Sequence, residues 1–418
     1  MGNSETHEAA VGALLAGKSA FLSGRSYSGK TKVLNEFMMK APKGSVVRLS
    51  PSGPAAVATF GEQITSFLHL RRGVHEPQAA IPSAMLMKKL RAARTVIVDC
   101  VDQMRIDEFQ ALRDHLVAGA CRFGDFGGHQ LIMAGDFSRP EMQIPDDIAA
   151  RLDKIYGQGN HRPFQNRHWP QLPVIELSPA PGFDPELIEI LDLIEGQESS
   201  FSALSSMQTA AGIQSVRITG SRQHADQINA REMENLDGGY FRVEAQIQGR
   251  FMAYNAPVEP NIAFKRDSRV IVSADIPDAG ILAGQAGRLT GFHRDKENSP
   301  VANVALDDGR TVVIPQYSWK SVTHSVTENG EISRRVDGVF KQVPLLPGWA
   351  IPIGKARGLH FDHIHIEKGA MDHGRAGFAL SRARSAAGLS ISPDIDLFLM
   401  RNGTDPGVRR HEHEIEPA

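Results

Sequence analysis

Apolar positions along this chain fall into two alternating patterns. SAFLS (19–23), SVVRLS (45–50), TVIVD (95–99) and HQLIMAGD (129–136) are short, nearly continuous apolar runs. Such runs mark strands covered on both faces, as in a parallel sheet. Between them, KTKVLNEFMMK (30–40) places Val33, Leu34, Phe37 and Met38 at helical spacing. Residues 8–17 predict a short helix. Residues 84–94 predict a basic one, with Lys88, Lys89, Arg91 and Arg94 and no acid from Pro82 to Arg94. Strands alternating with helices predict an α/β fold.

The segment 140–172, rich in Pro, Gly, Asn and His, reads as a loop-rich connector. A second α/β pattern follows, with an amphipathic helix at 186–196, a strand at SVRIT (215–219) and a helix at 222–236. Between 268 and 325 the pattern becomes short strands split by Gly, Asp and Pro: RVIVSADIP, GQAGRLTGF, VANVAL, RTVVIP and YSWKSV. These predict a small β-barrel insertion. The α/β pattern returns from Val343 to Leu399. The chain is therefore read as a first core at 1–172, a second core in two parts at 173–265 and 343–400, an insertion at 266–342, and a tail at 401–418 expected to be disordered. No internal repeat is evident.

Composition narrows the function. With 418 residues, 41% of them hydrophobic, the chain can build its cores without disulfide or metal staples. Lys plus Arg is 46 and Asp plus Glu is 48, a net charge of −2. That excludes a globally basic nucleic-acid coat but leaves room for a local basic groove. Charge is indeed segregated: 176–198 carries seven acids and no base, while 341–410 carries ten bases against six acids. Two cysteines, Cys100 and Cys121, cannot form a disulfide framework or a four-thiolate zinc site. No apolar run reaches the roughly 18–20 residues of a membrane span. The N-terminal apolar run has no basic region before it, so a cytoplasmic protein without membrane contact is expected.

Gly24-Arg-Ser-Tyr-Ser-Gly29-Lys30-Thr31 is a complete G-x-x-x-x-G-K-[ST] phosphate loop, with a strand before it and a helix after it. Glycines let the backbone curl around phosphates, and loop N–H groups with the helix N-terminus supply donors. In that pattern Lys30 reaches the β- and γ-phosphates of ATP and Thr31 holds Mg²⁺, while Asp99, ending its strand, is the Mg²⁺-side carboxylate. Gly24, Ser28, Gly29, Lys30 and Thr31 are thus the candidate nucleotide-binding residues.

The order of further segments carries a resemblance. LSPSGPAA (49–56), QITSFLHL (63–70), VIVDCVDQM (96–104), GGHQLIMAGDFSRP (127–140), ITGSRQHADQINAREMENLDG (218–238), VPLLPGWAIPIGKARGL (343–359) and GRAGFALSRARSAAGL (374–389) follow one another. Together they resemble the superfamily 1 DNA helicases of the 5′-to-3′ branch, the RecD-like and Dda-like group, over residues 5–392. The resemblance implies two RecA-like P-loop cores with ATP between them, an SH3-like β-barrel in the second core, and single-stranded DNA crossing both. It assigns Asp136 to the third motif, Arg382 to the γ-phosphate from the second core, and Lys355, Arg357 and Gly358 to the segment that contacts DNA and couples it to ATP. Ser50, Pro51 and Ser52 fall where the first core touches the DNA backbone.

The chain departs from the family at the chemistry. The D-E pair is Asp99-Cys100, which removes the Glu that activates water, an effect of about 10²–10⁴ in rate. The γ-phosphate-sensing Gln becomes Arg139, which can bind phosphate but cannot accept a hydrogen bond. The fourth-motif Arg-Gln near 180–184 is absent, the adenine-reading Gln is replaced by Thr6 and His7, and the fifth motif reads Pro352-Ile-Gly354-Lys355-Ala-Arg357-Gly358. Three functions follow from this mixture. The first is a protein binding ATP–Mg²⁺ and single-stranded DNA with weak or lost hydrolysis, as a nucleotide-gated clamp or subunit with protein partners. The second is an active ATP-dependent 5′-to-3′ helicase or translocase. The third is a non-catalytic scaffold for protein partners.

Other groupings have ordinary readings beside functional ones. His360, His363, His365 and His373 with Asp362 suit a strand of the second core or a metal site. Trp319 and Trp349 suit core packing or base stacking. The basic helix suits a solvated face or a DNA surface.

Overall fold

A computed structural model describes residues 6–25, 28–71, 73–77, 81–120, 123–137, 144–178, 184–195, 201–369 and 375–397. Arg139, Cys121, His373 and the tail lie outside the described residues, as do 179–183, within the segment to which the resemblance assigns the fourth-motif arginine.

The first unit is an α/β layer structure built from α1 (His7–Leu15), β1 (Ala20–Ser23), α2 (Lys30–Lys40), β2 (Val46–Ser50), α3 (Gly53–Thr59), β3 (Glu62–Gln63), α4 (Ile64–Phe67), α5 (Ala84–Ala92), β4 (Thr95–Asp99), α6 (Ile106–Ala120), β5 (Gln130–Ala134), α7 (Asp146–Tyr156) and β6 (Val174–Glu176). The strands form one parallel sheet in the order β3-β2-β4-β5-β1-β6. Every residue of β4 is buried, which explains its unbroken apolar run. On α2, Val33, Leu34 and Phe37 face inward, and Val33 and Leu34 meet Ile97 and Ile132 of the sheet in one cluster.

Two helices depart from expectation. The hydrophobic pattern assigns no element to 106–120, where the structure has α6. Within the segment expected to be a loop-rich connector, α7 begins with Asp146 and Asp147 in its first turn and buries Leu152. Acids at a helix N-terminus complement its dipole, and they outweigh the flanking Pro and Gly.

The second unit contains α8 (Pro185–Glu195), α9 (Phe201–Ser206), β7 (Val216–Thr219) and α10 (Arg222–Glu234). Then come β8 (Phe241–Glu244), β9 (Gln246–Gly249), β10 (Asn261–Phe264), β11 (Arg269–Val272), β12 (Ala286–Arg294), β13 (Pro300–Leu306), β14 (Thr311–Ile314), β15 (Tyr317–Val326) and β16 (Ile332–Gln342). The chain finishes with β17 (Leu345–Pro347), β18 (Ala350–Pro352), β19 (Ile364–Ile366), α11 (Arg375–Leu380) and β20 (Leu389–Ile391). A second parallel sheet, β18-β7-β19-β20, gathers strands from both sides of the antiparallel region.

The antiparallel strands pair as two main sheets, β14-β13-β12-β11-β17 and β15-β16-β9, with β8 and β10 as a separate pair. They do not run around one closed ring, and β17 extends the first sheet past residue 342. The long β15–β16 hairpin also leaves its own unit. Ile332 joins the hydrophobic cluster of the first unit, and its N–H donates to the Gly44 carbonyl at 2.7 Å. His324 is held by Glu62 of β3: its backbone N–H donates to Oε2 at 2.6 Å, and Nδ1 lies 2.9 Å from the same oxygen. Both side chains are buried.

Candidate functional site

The phosphate loop leaves β1 and enters α2. Gly24 has φ +140°, and a Cβ there would sit 2.6 Å from Ser28 Oγ and 2.9 Å from the Leu177 carbonyl oxygen. Gly29 has φ +80° and caps α2, where a Cβ would strike the His7 ring at 2.5 Å. Both positions therefore require glycine. Lys30 Nζ curls back over the loop, donating to the Gly24 carbonyl, to the Arg25 carbonyl at 3.0 Å and to Ser28 Oγ at 3.4 Å. These are oxygens that a phosphate could replace. Ser28 is fully buried, and Thr31 is exposed at the first turn of α2. His7, at the position where the resemblance expects an adenine-reading Gln, instead donates from Nε2 to the Ser28 carbonyl at 2.7 Å. Thr6 caps α1.

Asp99 ends β4, buried at 5% exposure. Its Oδ2 accepts from Arg48 Nη2 at 2.5 Å, and Arg48 Nη1 donates to Asn35 Oδ1 at 2.6 Å. Arg48 is 2% exposed. The sequence carries a signal for it: a lone cation inside SVVRLS, a run that must be buried, points to a buried acidic partner. Cys100 follows in the left-handed conformation, φ 61°, and its N–H donates to Asp99 Oδ1 at 2.9 Å. A non-glycine residue held there stores about 1–3 kcal/mol of strain, which tends to concentrate at functional sites.

The loop has the glycines, lysine and helix N-terminus with which a nucleoside triphosphate could be held. Mg²⁺ commonly takes one or two protein oxygens together with phosphates and water, and Thr31 and Asp99 are the residues here that could supply them. Among the described residues no group of three or more His, Cys, Asp or Glu side chains is placed to hold a metal unaided. The metal reading of the histidines therefore has no support among them; His365 lies in β19 against Ser390 Oγ at 3.0 Å.

The second unit faces this site with several groups. Asp192 of α8 forms an ion pair with Arg25 of the phosphate loop. Arg357 Nη1 reaches Asp102 Oδ2 of the first unit at 3.0 Å. Arg382, expected at the γ-phosphate, is 1% exposed. Its guanidinium lies 4.4 Å from the Phe378 ring centroid and donates to the carbonyls of Phe378, Ala356 and Leu359. It would have to give up these contacts to touch phosphate. Asp136 is buried just after β5.

The expected DNA contacts divide. Ser50 is fully buried and shares a hydrogen bond with Thr59 at 2.9 Å; Pro51 is buried too, and Ser52 caps α3. These three shape the start of α3 more than they present side chains. Lys355 is exposed and pairs with Glu259 at 3.1 Å, which also binds Arg222 at 3.0 Å. Burial pushes the Glu259 carboxyl up, but Lys355 and Arg222 together outweigh it and hold it below the usual range. Arg357 turns away toward the first unit.

A groove of about 630 Å³ lies between α3, β3 and α5 on one side and β15–β16 on the other. Lys88, Arg250, Arg335 and Tyr254 line it. Lys89 also lines it but is 6% exposed and sits 5.1 Å over the Phe67 ring, so not all of the basic helix's charge is exposed. Trp319 packs in the core against Phe340 and Tyr317. Between α4 and α5, no strand occurs among the described residues of 71–83.

No family model matches the chain. In sequence it is similar to the ATP-dependent DNA helicase PIF1 of Homo sapiens, 27% identical over 432 residues, covering 97% of this chain and 62% of the relative. The chain thus spans under two thirds of that relative's length. In structure it is similar to Bacteroides sp Pif1 in complex with ADP-AlF4, with TM-score 0.88, 22% identity, and coverage of 99% of this chain and 97% of that one. Against Bacteroides Pif1 bound to single-stranded DNA the TM-score is 0.62 at 22% identity, covering 99% and 96%. The chain therefore resembles the Pif1-type superfamily 1 5′-to-3′ helicases and has their fold, with two RecA-like α/β units. Among the described residues no helix is long and apolar enough to cross a membrane.

Proposed function

We propose that this chain is an ATP-dependent, single-stranded-DNA-binding motor core, a 5′-to-3′ helicase or translocase of the Pif1 type. The observation that carries the reading is the built phosphate loop, with Lys30 resting on oxygens that a phosphate would replace and Asp99 at the adjacent strand end. Lys30 and the loop N–H groups would hold the β- and γ-phosphates, Thr31 and Asp99 would hold Mg²⁺, and the metal would neutralise charge on the transferred phosphoryl. DNA would run along the groove by α3 and α5 and past Lys355, where phosphate competes with Glu259. The likeness to PIF1 helicases along nearly the whole chain supports turnover over mere binding.

One observation favours a second reading, in which ATP is bound but hydrolysed slowly. Cys100 occupies the position after Asp99 and supplies no carboxylate to activate water. Steady-state ATP turnover with and without single-stranded DNA, beside a nucleotide-binding titration and a Lys30→Ala control, separates the two. DNA-stimulated turnover that Lys30→Ala abolishes is the expected result. Tight ATP binding without turnover selects the second reading. Absence of binding overturns both and leaves a protein-interaction scaffold.

A further inference from the structure

Two charged residues from motifs on opposite units meet in space. Arg357 lies in the segment that the resemblance assigns to DNA contact, and Asp102 lies three residues beyond Asp99. Their side chains form an ion pair at 3.0 Å across the cleft, with the Asp102 side chain 2% exposed and that of Arg357 30% exposed. On the first unit, Asp102 rests against Gly135 of the third motif: a Cβ on Gly135 would sit 3.0 Å from Asp102 Oδ1 and 2.7 Å from Val101. On the second unit, the Arg357 guanidinium lies 5.9 Å from the centroid of Phe378, the ring that also carries Arg382 at 4.4 Å. Asp102 thus touches the segment leading to Asp136, and Arg357 touches the platform under Arg382.

We infer that Asp102–Arg357 is a cross-cleft positioning pair that couples closure of the two units to the phosphate site, and that Arg357 serves this role in place of a DNA contact. The physical reason is asymmetry. A carboxylate this enclosed gains from the arginine beside it, so a motion that draws the units apart and removes Arg357 weakens the compensation of a poorly hydrated charge. Closure restores the pair and returns the Phe378–Arg382 platform to a fixed place against the first unit. In this role both residues act through their neighbours, Gly135 on one side and Phe378 on the other.

The inference rests on the proposed ATP-driven function, so its test has one arm that does not depend on turnover. Asp102→Asn, Arg357→Gln and the double variant are compared with the native chain. In the turnover arm each single variant is expected to lower the DNA-stimulated kcat by about 10–100-fold, the scale of a displaced catalytic geometry. The KM for ATP and the affinity for single-stranded DNA should change little. The double variant should be no slower than the worse single one, because the pair acts as a unit. Arg357→Lys, which keeps the charge, should recover part of the loss. In the second arm, hydrogen–deuterium exchange is followed at 101–104 and 353–358. Arg357→Gln should raise exchange in both segments, although 101–104 belongs to the other unit.

Additive losses, a fall in DNA affinity matching the fall in kcat, or exchange confined to the substituted segment would each overturn the inference. If the native chain shows no DNA-stimulated turnover, the motor reading fails and the exchange arm still decides the pair. If Asp102→Asn fails to fold, Arg357→Gln and Arg357→Lys carry both arms.

Discussion

Replacing Arg48 by Met removes the cation under Asp99 while keeping most of the buried volume. Arg48 is 2% exposed and Asp99 5% exposed, so water cannot readily take the place of the 2.5 Å contact. The second bond, to Asn35, costs little, since Asn35 is exposed and can turn to solvent. The loss is then set by the stranded carboxylate, about 3–5 kcal/mol for breaking a buried pair by removing one partner. Against a typical domain stability of about 5–15 kcal/mol, that is a large share. Urea melts followed by circular dichroism measure it by linear extrapolation. Arg48→Met with Asp99→Asn should recover most of the loss, because the double variant leaves no buried charge. Saturating ATP–Mg²⁺ should shrink the single variant's deficit, since a metal at Asp99 supplies the missing positive charge. A single-variant loss under about 1 kcal/mol, the scale of an exposed pair, would refute the reasoning. So would a double variant as unstable as the single one.

Three further outcomes are expected. Cys100→Glu restores a carboxylate beside Asp99 and should raise ATP turnover by at least about 10²-fold if slow hydrolysis is the true state; an unchanged rate means water is activated elsewhere. Burial pushes the Glu108 carboxyl from 4.5 up to about 7, so between those values the folded chain keeps a proton that the unfolded chain has lost. That stability is present below pH 4.5 and falls away as pH rises toward 7, by at most about 3 kcal/mol, and thermal melts of Glu108→Gln should lack the slope. His324→Ala removes a side-chain partner of buried Glu62 and should cost about 1.5–3 kcal/mol, with amide exchange rising along 317–342 before the rest of the second unit; uniform exchange would show that the hairpin is not held there.

How much was legible follows the range of the forces. The phosphate loop was readable in full because glycine, lysine and threonine act there through a local turn: the φ of +80° at Gly29 and the cap of α2 are set by neighbours in sequence. The buried strands were readable because a parallel sheet covers both faces and leaves no polar alternation, as β4 shows. The 15-residue α6 and the α7 inside the Pro- and Gly-rich connector were missed. Their signals, acids in the first turn and an intermittent apolar stripe, are weak until packing makes them decisive.

By itself, then, the sequence determined the α/β class, the nucleotide loop, and the helicase resemblance that the matches to PIF1 support. Tertiary structure alone decided which charges are spoken for. Asp99 is already matched by Arg48, Arg382 is bonded to main-chain carbonyls, Lys355 is held by Glu259, and Arg357 reaches across to Asp102. Apart from the Phe378 carbonyl beside Arg382, these partners lie tens to hundreds of residues away, and a charge's strength depends on its distance to the partner and on the water between them. Neither quantity is written in the order of residues along the chain.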